Sequence, residues 1–187
     1  MKNVFIISGA AGSGKDSIID RLAQELPIER IITTTTRRPR PGESEGNPYY
    51  FLSSEKFEQG IEEAKFIEHS INENGGRYGV TKSELQRITD TGSIAIWRVD
   101  WKGVVNIKKI YPEIPAIYIS ASLEILEARL RARDKGKDEI YFKERMDYTR
   151  EWLKHLDIYD YTIENEEGRL NEAVERVKTI IESRFEK

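Results

Sequence analysis

Residues 9–17, GAAGSGKDS, give the strongest indication of the fold of this chain. It follows a short apolar run, VFIIS, and precedes KDSIIDRLAQEL, in which apolar residues recur at helical spacing. A buried strand, a glycine loop ending in lysine and a helix therefore follow one another, and this is the order found in a phosphate-binding loop. The pattern predicts that residues 9–17 bind the phosphates of a nucleotide.

Each part of this loop has a physical role. Glycines let the backbone curl so that successive N–H groups point at phosphate oxygens, and the positive end of the following helix adds to their field. Lys15 supplies a charge for the β- and γ-phosphates, but Asp16 stands where the pattern normally has a Ser or Thr that contacts Mg²⁺. We predict a nucleotide site formed by Gly9, Ala10, Ala11, Gly12, Ser13, Gly14, Lys15, Asp16 and Ser17.

Composition predicts one folding unit and excludes several kinds of site. The 187 residues are 38% hydrophobic and 34% charged, which suffices for one well-buried core. A formal net charge of −3 argues against a nucleic-acid partner. The absence of cysteine excludes disulfides and thiolate metal sites and fits a cytoplasmic location. No run approaches the roughly 18 apolar residues of a membrane span.

The order of strand and then helix recurs along the chain and predicts an α/β fold. Apolar runs at residues 94–99, 116–120 and 161–164 each precede a helical pattern, the last of which spans about 170–185. Such alternation predicts a parallel sheet with helices on both faces. The opening MKNVFIISGA leads straight into the glycine loop, so we expect a core strand there rather than a signal peptide.

Two segments interrupt this alternation within a single predicted domain. Residues 31–91 contain short strand candidates and the turn residues Pro39, Pro41, Gly42, Gly46, Gly75 and Gly76. We predict that they form an inserted, mostly antiparallel acceptor-binding lobe, which leaves residues 1–30 and 92–187 as the core. The charged stretch RARDKGKDE, residues 131–139, separates two helical patterns and predicts a mobile connection in a helical lid over about 131–145.

Residues 33–51, TTTTRRPRPGESEGNPYYF, form a second distinctive motif. Arg37, Arg38 and Arg40 lie beside prolines that stiffen the backbone. Guanidinium groups hold phosphate with two parallel hydrogen bonds, so these arginines suit a clamp for a phosphate monoester. A charge run alone is more often a solvated loop, and this motif by itself leaves both interpretations open.

Taken together, the motifs resemble those of the guanylate kinase family over nearly the full length of the chain. The resemblance rests on the glycine loop, on residues 33–51, and on FIEH, RYG, VDWKG and YDYTIEN further along. It implies transfer of the γ-phosphate of ATP to GMP or dGMP with Mg²⁺ as cofactor. The expected partners are nucleotide substrates, and the expected state is a monomer or homodimer.

The resemblance also implies roles for individual residues. The implied ligands of the acceptor phosphate are Arg37, Arg40, Tyr49 and Tyr78. The implied guanine ligands are Thr33, Glu68 and Asp100. The implied catalytic residues are Lys15 and the lid arginines Arg129, Arg133 and Arg145. This set suits phosphoryl transfer, which needs positioning and positive charge, and a carboxylate suits guanine, which presents two adjacent donors that adenine lacks.

One departure from the family pattern concerns the base. Val80 follows the Tyr-Gly pair, where the family usually has a Ser or Thr that helps to recognise the guanine oxygen. Thr81 could supply that hydroxyl by a one-residue shift, although Thr81 with Glu84 also predicts a helix capping box. The strictness of guanine recognition is therefore open.

Two further departures concern the metal. Arg98 stands where the family has a carboxylate associated with the metal, and Asp16 adds a carboxylate in the loop. We predict that this carboxylate has moved to Asp16, with Arg98 either paired to it in the empty enzyme or supporting the phosphates once ATP binds. The alternative is a decayed kinase in which Arg98 repels the metal.

Two alternative functions follow from other resemblances. The ending Lys-Asp-Ser also resembles that of ribose 1,5-bisphosphate kinases, which predicts a ribosyl phosphate or another phosphomonoester as acceptor. The second alternative is a non-catalytic binding module that resembles guanylate kinases. Such modules typically have damaged phosphate-binding loops, whereas Gly9, Gly14 and Lys15 are intact here.

Overall fold

Two β-sheets of five strands each organise the residues described by the computed structural model, which are 3–40, 42–71 and 75–185. Pro41, predicted to mark a turn, lies outside these ranges. The strands are β1 (Val4–Ser8), β2 (Ile28–Arg30), β3 (Thr33–Thr35), β4 (Ser44–Glu45), β5 (Pro48–Phe51), β6 (Phe66–Ile71), β7 (Arg77–Thr81), β8 (Ile94–Arg98), β9 (Ala116–Ser120) and β10 (Tyr161–Glu164). The helices are α1 (Lys15–Leu22), α2 (Ser54–Glu62), α3 (Lys82–Thr91), α4 (Trp101–Ile110), α5 (Leu123–Arg133), α6 (Glu139–Trp152) and α7 (Leu170–Phe185), with a 3₁₀ segment at Leu153–Ile158.

The first sheet is the parallel sheet that the sequence predicts. Its strand order is β10-β9-β1-β8-β2, and every neighbouring pair runs parallel. Phe5 and Ile7 of β1 pack with residues of α1 and α7, whereas Val4 and Ile6 pack with residues of α3 and α4. Helices therefore cover both faces, and the glycine loop after β1 lies at the carboxyl edge of the sheet, where ligands of such folds bind.

The second sheet is mixed, whereas the sequence predicted a mostly antiparallel lobe. Its order is β4-β5-β3-β7-β6, with β3 and β4 parallel to β5 and with β7 antiparallel to β3 and β6. Parallel neighbours need a connection that returns the chain to the same end, and residues 36–47 provide it between β3 and β5. The strand TTT has no alternation of apolar and polar residues, so its sequence does not indicate whether it pairs in parallel or antiparallel.

Hydrogen bonds at helix ends place several site residues. The Thr81 hydroxyl accepts from the Glu84 N–H at 3.2 Å, which confirms the predicted cap of α3. Asp100 caps α4 by accepting from the Gly103 N–H at 2.9 Å, so it is held just beyond the end of β8.

Helices α5 and α6 are separate, as the charged stretch predicted, and residues 134–138 connect them. Within the described ranges, no helix is long and apolar enough to span a membrane.

Candidate active site

The glycine loop has the curled backbone that phosphate binding requires. Gly12 and Gly14 have φ angles of 87° and 82°, a left-handed conformation that residues with a Cβ rarely adopt. A Cβ on Gly12 would also lie 2.6 Å from the Leu126 carbonyl oxygen. The loop closes on itself because the Ser13 N–H donates to the Ala10 carbonyl at 3.1 Å. Larger residues at these two glycines are therefore incompatible with the loop.

Asn165, just after β10, supports the loop from beneath. Its Nδ2 donates to the Ser13 carbonyl at 2.7 Å, and its main-chain N–H donates to the Ser120 carbonyl at 2.8 Å. The residue is only 2% exposed, and a Cβ on Gly14 would collide with its amide. Asn165 was missed as a functional residue, because its only sequence signal is its place at the end of YDYTIEN.

Lys15, the first residue of α1, is partly buried and lies near both Asp16 and the cations Arg98 and Arg133. Burial lowers the pKa of Lys15 to about 8; the charges of Arg98 and Arg133 act in the same direction, while Asp16 opposes them. An incoming anion stabilises the charged form of such a lysine strongly, because a phosphate compensates both the burial and the neighbouring positive charges.

Asp16 and Arg98 form an ion pair across the site. Arg98 Nη1 donates to Asp16 Oδ1 at 2.6 Å, and Arg30 Nη1 lies 3.8 Å from the same oxygen. Burial opposes the charge of Asp16, but the neighbouring cations, Arg98 above all, outweigh it and lower the pKa of Asp16. The pair predicted for the empty enzyme is therefore present.

Arg98 also contacts the second sheet. Its Nη2 donates to the Tyr49 hydroxyl at 3.0 Å. The rings of Tyr49 and Tyr78 meet edge to face with centroids 6.1 Å apart, and the Arg37 guanidinium lies 5.2 Å from the centroid of Tyr49. Three of the predicted acceptor-phosphate ligands thus lie together, and Tyr49 joins them to Arg98.

Glu43 holds Arg37 through two hydrogen bonds. The Arg37 Nη1 and Nη2 atoms donate to the two carboxylate oxygens at 2.8 and 2.9 Å. The hydrogen bonds from Arg37 lower the pKa of Glu43 to about 2. The main-chain N–H of Arg40 donates to the same carboxylate at 2.7 Å, whereas the Arg40 side chain is exposed. Glu43 was not predicted as a site residue, and its position six places after Arg37 was the only signal.

Two carboxylates predicted to contact guanine lie near one another. Glu68 of β6 is 7% exposed, and burial, followed by the negative charge of Asp100, raises the pKa of Glu68 to about 8. The second oxygen of Asp100 accepts from the Tyr148 hydroxyl at 3.0 Å. Thr33, the third predicted guanine ligand, begins β3 and is partly buried.

Neither Val80 nor Thr81 presents a hydroxyl for the guanine oxygen. Val80 is fully buried and packs in a cluster with Leu85, Ile88 and Trp97. The Thr81 hydroxyl is engaged at the cap of α3 and lies 3.0 Å from the Ser83 hydroxyl. The interpretation of Thr81 as a helix cap is therefore favoured over its use as a base ligand.

Arg129 of α5 already lies against the glycine loop. Its Nη1 donates to the Asn165 carbonyl at 2.9 Å and lies 3.4 Å from the Gly12 carbonyl. Of the three predicted lid arginines, this is the one held directly at the loop in the described residues.

Arg133 and Arg145 lie around Asp134 instead. Arg133 Nε donates to Asp134 Oδ1 at 2.8 Å, and the Tyr141 hydroxyl donates to Oδ2 at 2.6 Å. The exposed Arg145 places its guanidinium 5.4 Å from the centroid of Tyr141, and its charge also acts on Asp134. Both arginines thus lie near Asp134, and the charge of Arg133 also acts on Lys15.

Comparisons with known proteins match this arrangement. The family model described as guanylate kinase matches residues 1–184. A guanylate kinase of Idiomarina loihiensis is 36% identical over 169 residues, covering 88% of this chain and 80% of that protein. A guanylate kinase of Haemophilus influenzae is 34% identical over 185 residues, covering 97% of this chain and 88% of that protein.

The likeness extends to a solved structure. The crystal structure of guanylate kinase from Anaplasma phagocytophilum has a TM-score of 0.76 and 26% sequence identity, covering 99% of this chain and 87% of that one. These matches span both sheets as well as the glycine loop. The chain belongs to the guanylate kinase family.

Proposed function

We propose that this chain phosphorylates GMP, and dGMP as well, with the γ-phosphate of ATP. The observation that carries this choice of acceptor is the buried carboxyl of Glu68 close to Asp100. Guanine presents a ring N–H and an amine on one edge, and a carboxylate accepts from both. A ribosyl phosphate offers hydroxyl donors but no planar edge with two adjacent N–H donors, so the buried carboxyl of Glu68 favours guanine. The proposed compartment is the cytoplasm.

The proposed roles divide between the two sheets. In this proposal the triphosphate lies in the loop of residues 9–17 with Lys15, and the acceptor phosphate lies among Arg37, Arg40, Tyr49 and Tyr78. Guanine then contacts Thr33, Glu68 and Asp100, and the lid arginines Arg129, Arg133 and Arg145 close over the migrating group. Acceptor lobe 31–91 and lid 131–145 are proposed to move as units relative to the core.

The proposed reaction needs no covalent intermediate with the protein. An oxygen of the GMP phosphate bonds to the γ-phosphorus of ATP while the bond from that phosphorus to the bridging oxygen breaks, and the electron pair leaves with ADP. Lys15 and Arg129 hold positive charge at the loop throughout. Arg133 must exchange Asp134 for phosphate, which makes closing of the lid part of catalysis.

Mg²⁺ is the proposed cofactor, and the side chains present fit it. The described residues contain no group of three or more His, Asp or Glu side chains that could hold a metal by themselves. Mg²⁺ commonly uses one or two carboxylates together with substrate phosphates and water, so Asp16 beside the loop is sufficient. When bound, the ion would neutralise phosphate charge and release Asp16 from Arg98.

A double-mutant cycle tests this role of Asp16. We expect Asp16→Ser to weaken the Mg²⁺ dependence of ATP binding, measured by calorimetry, and Asp16→Ser with Arg98→Asp to recover part of it. Recovery would mean that a carboxylate at position 98 replaces one at position 16. Additive effects, with coupling below about 0.5 kcal/mol, would mean that the two positions are unrelated.

An acceptor screen tests the proposed function directly. ADP release would be measured with GMP, dGMP, AMP, UMP and ribose 1,5-bisphosphate, and we expect the highest kcat/KM with GMP and dGMP. Lys15→Met is the control for contaminating kinases: it should abolish turnover and leave the circular dichroism spectrum unchanged. A preference for ribose 1,5-bisphosphate would favour the alternative enzyme, and absence of ATP binding would favour the binding module.

A further inference from the structure

Arg98 joins the two halves of the site in a way that the family pattern does not explain. It ends β8 at the carboxyl edge of the first sheet, and its side chain is 25% exposed. One nitrogen contacts Asp16 of the donor loop at 2.6 Å, and the other contacts the Tyr49 hydroxyl of the acceptor lobe at 3.0 Å. No other described arginine has hydrogen bonds to both.

The two contacts place a permanent cation between the proposed phosphate sites. The charge of Arg98 lowers the pKa of Lys15, so Arg98 lies near the proposed triphosphate site as well as near Tyr49. A guanidinium is planar, keeps its proton and presents paired N–H groups that match phosphate oxygens. In the absence of substrates, the Asp16 carboxylate occupies one side of that fork as an anion would.

We propose that Arg98 is a catalytic residue that contacts the γ-phosphate of ATP with one nitrogen and the phosphate of GMP with the other. This inference rests on the proposed function. On substrate binding the guanidinium exchanges Asp16 and Tyr49 for phosphate oxygens. It neutralises the repulsion between the two phosphates and then the charge that spreads over the migrating group. Arg98 gains and loses no proton, because the bonds that change are those of phosphorus alone.

The competing explanation is that Arg98 only ties the donor loop to the second sheet. The two explanations differ in what Arg98→Gln changes. If Arg98 has only a structural role, the substitution should impair folding and the binding of each substrate alone. If Arg98 contacts both phosphates, the substitution should have its largest effect when both substrates are bound.

Arg98→Gln, Arg98→Lys and the matched control Arg30→Gln test the proposal. Arg30 also approaches Asp16, at 3.8 Å, but donates to Asp20 at 2.8 Å. We expect Arg98→Gln to lower kcat at saturating ATP and GMP by about 100-fold or more, the scale for removing a donor to a transition-state charge. Arg98→Lys should retain part of the activity, and Arg30→Gln should stay within threefold of the wild type.

Binding measurements separate catalysis from structure. By calorimetry, Arg98→Gln should change the Kd of ATP and of GMP less than fivefold, but raise at least thirtyfold the Kd of an adenosine–guanosine pentaphosphate that spans both sites. A kcat within threefold of wild type would overturn the proposal. So would equal weakening of all three ligands together with a lower Tm.

Failure of the proposed function would give a different result. If the wild type released no ADP with GMP, guanylate kinase activity would be rejected, and the pentaphosphate would still report on Arg98. Tighter binding of the pentaphosphate by the wild type than by Arg98→Gln would support the role of Arg98. Equal binding by the two proteins, or none by either, would overturn it.

Discussion

Glu68 is a buried acid that guanine is suited to ionise. Its pKa is about 8 because burial and the charge of Asp100 disfavour the carboxylate. At neutral pH the group is therefore mainly protonated. In the proposed site, donation by two guanine N–H groups favours the ionised form, so we expect binding of GMP to release a proton.

We expect the affinity for GMP to rise as the pH rises towards 8, by up to about tenfold per pH unit, and to level off above the pKa of Glu68. Calorimetry in two buffers of different ionisation enthalpy would measure the released proton. Glu68→Gln should bind GMP more weakly and without this pH dependence. Proton uptake on binding, or a flat profile in the wild type, would contradict the assignment of Glu68 to guanine.

Val80 is a residue at which restoring the family pattern should fail. Its side chain is fully buried beside Leu85 and Trp97, so a serine hydroxyl there would be buried in an apolar cluster. We expect Val80→Ser to lower the free energy of unfolding by about 1–3 kcal/mol, as measured by urea titration. Val80→Ala is the control for lost methyl groups. A selective gain in kcat/KM for GMP would instead show that the hydroxyl reaches the base.

At the scale of elements, the connection between β3 and β5 contains Arg37 and Arg40, two of the proposed ligands of the acceptor phosphate. Residues 36–47 bring β5 alongside β3 and also place Arg37 over the ring of Tyr49. Glu43 holds the guanidinium of Arg37 in this position. The parallel pairing of β3 with β5 and the position of Arg37 in the proposed phosphate clamp thus both depend on this loop.

Removal of an arginine side chain from this loop should weaken the binding of GMP but not of ATP. We expect Arg37→Ala and Arg40→Ala each to weaken GMP binding by about 1.5–3 kcal/mol, the value of a charge-assisted contact, and to leave ATP binding unchanged. Arg38→Ala is a matched control with an exposed side chain. Guanosine, which lacks the phosphate, should bind all variants alike. Equal losses for ATP and GMP in calorimetry would contradict separate sites for the two substrates.

For the whole molecule, Arg98 links the two sheets. Its contacts with Asp16 and Tyr49 join the glycine loop to the second sheet, and Arg129 joins α5 to the loop. In the proposed mechanism, a ligand that occupies both sites replaces these contacts with its own phosphates. Substrate binding should therefore stabilise the entire domain.

We expect the adenosine–guanosine pentaphosphate, at 100 times its Kd, to raise the free energy of unfolding by about 2.7 kcal/mol and Tm by about 5–10 °C. Scanning calorimetry would measure the shift. ATP alone, at the same concentration, should give a smaller one because it leaves the acceptor site empty. A shift no larger than that of ATP would mean that the two sites are not joined in one closed state.

The sequence alone predicted the parallel sheet, from the repeated order of strand and helix. It also predicted the glycine loop and the cap of α3, because each of these depends on residues adjacent or a few positions apart. Burial on both faces makes β1 continuously apolar, and the curl of the loop requires glycine at Gly12 and Gly14. The spacing from Thr81 to Glu84 likewise predicts a helix end. These signals remain readable without any knowledge of the rest of the fold.

Apart from the predicted pair of Asp16 and Arg98, the meeting of distant residues became visible only in the tertiary structure. Asn165 and Ser13 are 152 positions apart, and Arg98 and Tyr49 are 49 apart, so no local pattern could pair them. The mixed second sheet was unpredictable for a related reason: very short strands such as β3 contain too few residues to encode a direction. A hydrogen bond or a pKa depends on what surrounds a group, and the packing of the two sheets creates those surroundings.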